Sequence, residues 1–193
     1  MSMTAADPAL LVMSLLGREL ATVDVARARL EELFGRALFV SEPLAFGWSD
    51  YYACELGDTP VRRIIALDRF EDTSQLPEIK RTTARLEVAL ARPGGAREVN
   101  IDPGLLGADQ LVLASSKARA HRIHLGRGVY GDLQLIHREG ELTPLAWSYP
   151  DYASDELRAI FARLRELLLE RRHLERRGAS AAANSEQSAR SPT

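Results

Sequence analysis

Cysteine and lysine are scarce in this chain of 193 residues: Cys54 is the only cysteine, and Lys80 and Lys117 are the only lysines among 25 lysines and arginines. One cysteine closes no intramolecular disulfide and supplies no thiolate pair for a zinc site. With no mark of an oxidising compartment, a cytoplasmic location is expected. Lysine shortage carries no argument by itself, since such skew follows genomic base composition. No apolar run reaches the ~20 residues of a membrane span. The start, MSMTAADPALLVMSLLG, also lacks the charged n-region of a secretory signal. A net charge of -2, with 46% hydrophobic and 27% charged residues, argues against a general nucleic-acid or membrane-surface binder and leaves room for a local basic patch. The length favours one domain around one core.

The pattern along the chain alternates between periods. ALLVMSLLG (9–17) reads as a buried strand closed by glycine. TVDVARARLEELFG reads as a helix capped by Thr22 or Asp24 and stopped at Gly35. RALFVSEPLAFGWSDYY reads as an extended segment broken at Pro43, and VRRIIALDRF as a strand. SQLPEIKRTTARLEVALA reads as a helix with Ser74 as its cap, and REVNID as a further strand. This order predicts an α+β domain with a ferredoxin-like split β-α-β-β-α-β core. The turn chemistry of Asp102-Pro103-Gly104 follows, then QLVLASS as a strand or short helix, then AHRIHLG, VYGDLQLIH and ELTPLAW as an antiparallel meander. A long C-terminal helix starts at a Ser154 cap, with Leu157, Ile160, Phe161, Leu164, Leu167 and Leu168 as its apolar stripe. The expected boundaries are a flexible N-terminus over 1–8, one domain over 9–176 and a disordered small-polar tail over 177–193.

Charge concentrates in LASSKARAHRIHLGRGVYG (113–131), which holds Lys117, Arg119, Arg122 and Arg127, two histidines and no acid. GRGVYG within it is a literal G-x-G-x-x-G, but strand-like alternation follows it where a dinucleotide-binding fold opens a helix. The economical reading is a hairpin turn, with Gly126 and Gly128 supplying positive φ. The stronger anion candidate is SSKARAHR, where Ser115, Ser116, Lys117, Arg119 and Arg122 offer hydroxyl donors, a point charge and guanidinium forks; a solvated basic loop is the alternative. His121 and His124 sit three apart, which in a strand sends them to opposite faces and predicts no shared metal. Asn100 and Asp102 at a strand end suit a turn or, alternatively, a rigid acid–base position. GWSDYY and WSYPDY both read as aromatic loops suited to walling a pocket or covering the sheet. Cys54 has no activating partner nearby in sequence and reads as an inert thiol.

The strings VNIDPGLL, SEPLAFGWSDYY and LVLASSKARAHRIHLGRGVYGDLQLIHREGELTPLAWSYPDY resemble an uncharacterised bacterial family, domain of unknown function 4416, over roughly residues 8–172. The resemblance implies no established activity, and the chain has no G-x-x-x-x-G-K-[ST] phosphate loop.

Three functions follow as expectations. The first is a domain binding a small anionic ligand, with phosphate-bearing ligands among the candidates, at Ser115, Ser116, Lys117, Arg119, Arg122 and the Gly126/Gly128 turn, walled by Tyr130, Trp147, Tyr149 and Tyr152. The second is an enzyme with Asp102, His121 or Asp151 as acid–base groups beside that cluster. The third is a self-associating module whose long helix or sheet edge forms a homo-oligomer. The sequence names no cofactor.

Overall fold

The apolar run at the N-terminus becomes β1 (Ala9–Gly17), and all nine of its residues are buried because helices cover both faces of the sheet around it. The computed structural model describes residues 7–48 and 53–189, leaving aside the side chains of residues 53, 54, 176 and 178–189. The SDYY part of GWSDYY and the Cys54 thiol therefore lie outside the described residues, as do residues 1–6 and 190–193. After β1 come α1 (Leu20–Phe34), β2 (Ala37–Val40), β3 (Leu44–Ala45), the one-turn α2 (Ala53–Leu56), β4 (Val61–Glu71), α3 (Leu76–Ala89) and β5 (Val99–Leu106). The second half adds β6 (Gln110–Ser115), β7 (Ile123–Gly126), β8 (Val129–Arg138), β9 (Glu141–Pro144) and α4 (Asp155–Ala189).

The strands form one antiparallel sheet in the order β2-β4-β1-β5-β6-β8-β7, with β3 on β4 and β9 on β8. Through β5 the chain follows the β-α-β-β-α-β order expected of it, with β3 and α2 inserted before β4. QLVLASS is the strand β6. The expected meander is corrected in its order. β6 pairs with β8, and the ten-residue β8 carries β7 and β9 along its other edge, so the segment between β6 and β7 passes the end of β8.

Odd-numbered residues of β1 pack with Val23, Ala26 and Leu30 of α1 and with Leu76 and Ile79 of α3. Leu10 and Val12 pack on the opposite face with Leu157, Phe161, Leu164 and Leu168 of α4. The period-2 strands and period-3.6 helices thus build three layers, helices on either side of a sheet. α1 starts earlier than its cap candidates suggest, at Leu20 with Glu19 at the N-cap and no side-chain cap bond. A Cβ on Gly17 would lie 2.6 Å from Val23 Cγ2, so this glycine lets the end of the strand lie close against the buried Val23 of the helix that follows. Asp72, not Ser74, caps the turn before α3, accepting from Ser74 N–H at 2.8 Å. Ser154 does cap α4, its hydroxyl accepting from Leu157 N–H at 3.3 Å. Past Leu174 the backbone stays helical to Ala189 through the stretch read from composition as a tail.

Asp102-Pro103-Gly104 is strand, not turn, and the reason lies in the open side of β5. Ile101 N–H donates to Glu87 Oε1 at 2.7 Å, and Ile101 O accepts from Lys80 Nζ at 2.9 Å, so this residue points away from β1. Alternate residues share a side, which puts the Pro103 nitrogen where no β1 ladder bond is lost. β6 joins β5 only from Gly104 onward. There a Cβ would stand 2.7 Å from Leu113 Cδ2 and 2.9 Å from Val112 O, so glycine permits the close approach.

Candidate functional site

On the α4 face the strands change character part-way along their length. β4 runs from Ala66 and Ile64 to Arg62, β1 from Leu10 and Val12 to Ser14, and β6 from Leu111 and Leu113 to Ser115. β5 turns polar at Asp102 and Asn100, and β8 at Asp132. The pairings set Ser14 opposite Asp102, Leu16 opposite both Arg62 and Asn100, Leu113 opposite Asp132 and Ser115 opposite Tyr130. These contacts join the changes into one diagonal polar band across five neighbouring strands. α4 covers the apolar side of the band. The other side opens into a cleft of about 490 Å³ where β5 and β6 part.

The cleft is densely charged, and most of its charges are matched. Arg62 pairs with Asp151 at 2.6 Å, both almost fully buried, and its guanidinium lies 4.6 Å from the Phe46 ring centre and 5.8 Å from that of Tyr152. Lys80 reaches Asp102 at 3.2 Å, and Asn100 Nδ2 donates to the other oxygen of that carboxylate at 2.6 Å. Arg97 spans Glu55 at 2.5 Å and Asn100 at 3.0 Å. Arg122 pairs with Asp132 at 2.7 Å, donates to Ser115 Oγ and Lys117 O at 2.8 Å each, and donates to Tyr149 Oη at 2.6 Å. Burial raises the Tyr149 phenol above its ordinary range, against the Arg122 charge that lowers it, and burial pushes Tyr152 up further. Both tyrosines are therefore neutral hydrogen-bonding groups at pH 7.

The loop that closes the cleft is set by a bulge in β8. The register shifts between Leu111 and Val112, which face Leu135 and Leu133, and Gln134 is the extra residue. Its carbonyl accepts from Ser148 Oγ at 2.5 Å and its side-chain oxygen from Tyr149 N–H at 2.8 Å. The WSYPDY segment is thereby held over the polar band.

The structure gathers Asp102, Ser115, Ser116, Lys117, Arg119, Arg122, Tyr149, Asp151 and Tyr152 around this one cleft. His121 sits behind it, with Nε2 3.3 Å from Asp132 Oδ1 and its ring stacked on Trp147 at 5.3 Å. Trp147 donates to Leu133 O at 2.9 Å, and Tyr130 packs against His124 at 5.0 Å. Neither Trp147 nor Tyr130 lines the cleft. Gly126 and Gly128 also lie away from it, flanking Arg127 in the β7–β8 hairpin. Positive φ at Arg127 (55°) and Gly128 (75°) makes this a type I′ turn, as the economical reading of GRG expected. Among the described residues no three or more His, Cys, Asp or Glu side chains converge as metal ligands.

A family profile described as "Domain of unknown function (DUF4416)" matches residues 7–168, a span that includes every residue of the cleft. The chain belongs to the DUF4416 family. Nothing among curated proteins or solved structures matches it. Sequence reasoning did not single out five charged cleft groups of this DUF4416 chain: Arg62, Lys80, Glu87, Arg97 and Asp132. One signal was available for Arg62, since it shares strand parity with the core residues Ile64 and Ala66. Lys80 and Glu87 stand seven apart, two helical turns on one side of α3. Asp132 alternates with leucines along β8, a pattern that gives a solvent-facing position in a half-buried strand, yet it is 1% exposed.

Proposed function

We propose that the cleft binds a small ligand bearing an oxyanion, held by the Ser115–Arg119 loop and Lys80, in a cytoplasmic domain with a ferredoxin-like core. One observation carries the reading: the exposed basic loop lies at the rim of the cleft that holds the polar band. Basic surface loops alone bind weakly because water screens them. The same charges act more strongly against a partly enclosed, low-dielectric wall. Arg122 has its guanidinium committed to Asp132, Ser115, Lys117 and Tyr149, so its role is to shape the loop. Lys80 uses two of an ammonium's three donors, on Ile101 O and Asp102, and keeps one for a ligand. Lys117 and Arg119 supply charge at the rim, and exposed Trp48 and half-exposed Tyr149 supply flat surface beside it.

The test is a thermal-shift and calorimetric panel of sulfate, inorganic phosphate, phosphate esters and small carboxylates. Binding at 100 times Kd raises stability by about 2.7 kcal/mol. The double variant Lys117→Ala/Arg119→Ala is expected to weaken any hit at least tenfold, with its unfolding midpoint checking that it is folded. A hit that binds this variant as tightly as wild type places the ligand elsewhere. The enzymatic reading is favoured by Asp102, whose carboxylate is 34% exposed, oriented by Lys80 and Asn100 and open to the cleft. Asp151 lines the cleft paired with Arg62, and His121 sits beside Asp132 outside the lining, so Asp102 is the acid–base group this reading puts first.

A further inference from the structure

Four acids line the cleft, and three are matched to a cation: Asp102 with Lys80, Asp132 with Arg122, and Asp151 with Arg62. Glu87 is the exception; among the described residues no cation stands within ion-pair distance of it. The charged groups facing it are Lys80 on its own helix, Asp102 on β5 and Arg97 just before β5. Lys80 directs two of its donors to Ile101 O and Asp102, and Arg97 spans Glu55 and Asn100. The Ile101 N–H, at 2.7 Å from Oε1, fixes this side chain at the cleft wall and leaves Oε2 outside that hydrogen bond.

We propose that Glu87 is a recognition group for the ligand, donating a hydrogen bond from its carboxylic O–H to an oxygen of the bound anion. The proposal rests on the anion-binding reading and adds a proton to it. An ionised carboxylate offers only acceptors and repels an anion, whereas the protonated form has one donor. Burial supports the neutral form, raising this carboxyl above the ordinary glutamate range against the lowering effects of Lys80 and the Ile101 N–H. The ligand's anionic group must then present at least two acceptor oxygens, one for the cations and one for Glu87, as sulfate, phosphate and carboxylate groups all do.

Sulfate is the probe, because its own charge is constant from about pH 5 to 9, so a change of affinity over that range reports groups of the protein. Calorimetric titration of the full chain is expected to show wild-type affinity falling about tenfold or more from the acid to the alkaline end, a loss of about 1.4 kcal/mol per tenfold. Glu87→Gln cannot ionise and keeps an N–H donor, so its affinity is expected to stay within about twofold over that range. Glu87→Ala, without the donor, is expected to bind more weakly at the acid end. A wild-type affinity that does not vary with pH overturns the proposal and leaves the anion site standing. So does a Glu87→Gln profile parallel to wild type. Absence of sulfate binding to wild type at every pH overturns the anion-binding reading itself. Unfolding midpoints of the three proteins check that each is folded, and the wild-type and Gln pair suffices if the Ala variant is not.

Discussion

Glu87 has a consequence for stability that is separate from any ligand. In the unfolded chain its carboxyl titrates near the ordinary 4.5, and in the folded protein burial raises it. Between those two values the native state keeps a proton that the unfolded state has released. The group's contribution is therefore complete below about pH 4.5 and is lost as pH rises through the raised folded value. Glu87→Gln removes that loss. The variant is expected to gain stability relative to wild type on going from pH 4 to pH 7.5, as read by urea unfolding at each. An offset that is identical at the two pH values would mean that Glu87 does not titrate differently on folding. Nothing in LEVALA marks this residue, because its neighbours in the folded state, Lys80 and Ile101, are set by how α3 crosses β5.

At the scale of elements, what was legible in sequence is what local chemistry decides. The β7–β8 hairpin was readable because a two-residue type I′ turn demands positive φ and GRG offers it; the Ser154 cap was readable for the same reason. Arg127 occupies the first turn position with φ 55°, and its side chain reaches Glu78 at 2.5 Å in a largely exposed pair. Exposed pairs contribute about 0–1 kcal/mol, while asparagine tolerates left-handed backbone far better than arginine. Arg127→Asn is thus expected to hold or raise stability by up to about 0.5 kcal/mol, whereas Arg127→Val is expected to lower it by about 1 kcal/mol or more. Thermal unfolding of the two variants distinguishes backbone strain from lost charge: if both fall equally, the ion pair is what matters. Pro103-Gly104 was misread by the same local logic. The pair suits a turn, but it equally suits a strand with one open side and one close neighbour, and only the β5–β6 register tells the two apart.

Across the whole molecule, the polar band was not legible, because it exists only when five strands from both halves of the chain are brought into register. Each strand alone shows one or two polar residues at an end, which resembles ordinary fraying. Arg122 and Asp132 connect that band to the rest: one guanidinium ties the basic loop, β8 and the segment before α4 into a unit. Asp132 is 1% exposed, so removing its partner strands a buried charge. Arg122→Met is expected to cost about 3–5 kcal/mol, the range for breaking a buried pair. The double variant Arg122→Met/Asp132→Leu is expected to recover most of that loss, because it removes both charges and their desolvation. The recovered fold would still lack the contacts to Ser115, Lys117 and Tyr149. Amide exchange in residues 115–122 and 147–152 is therefore expected to stay faster than in wild type even where global stability returns. Exchange that recovers together with stability would show that the two loops stay over the cleft without the shared guanidinium.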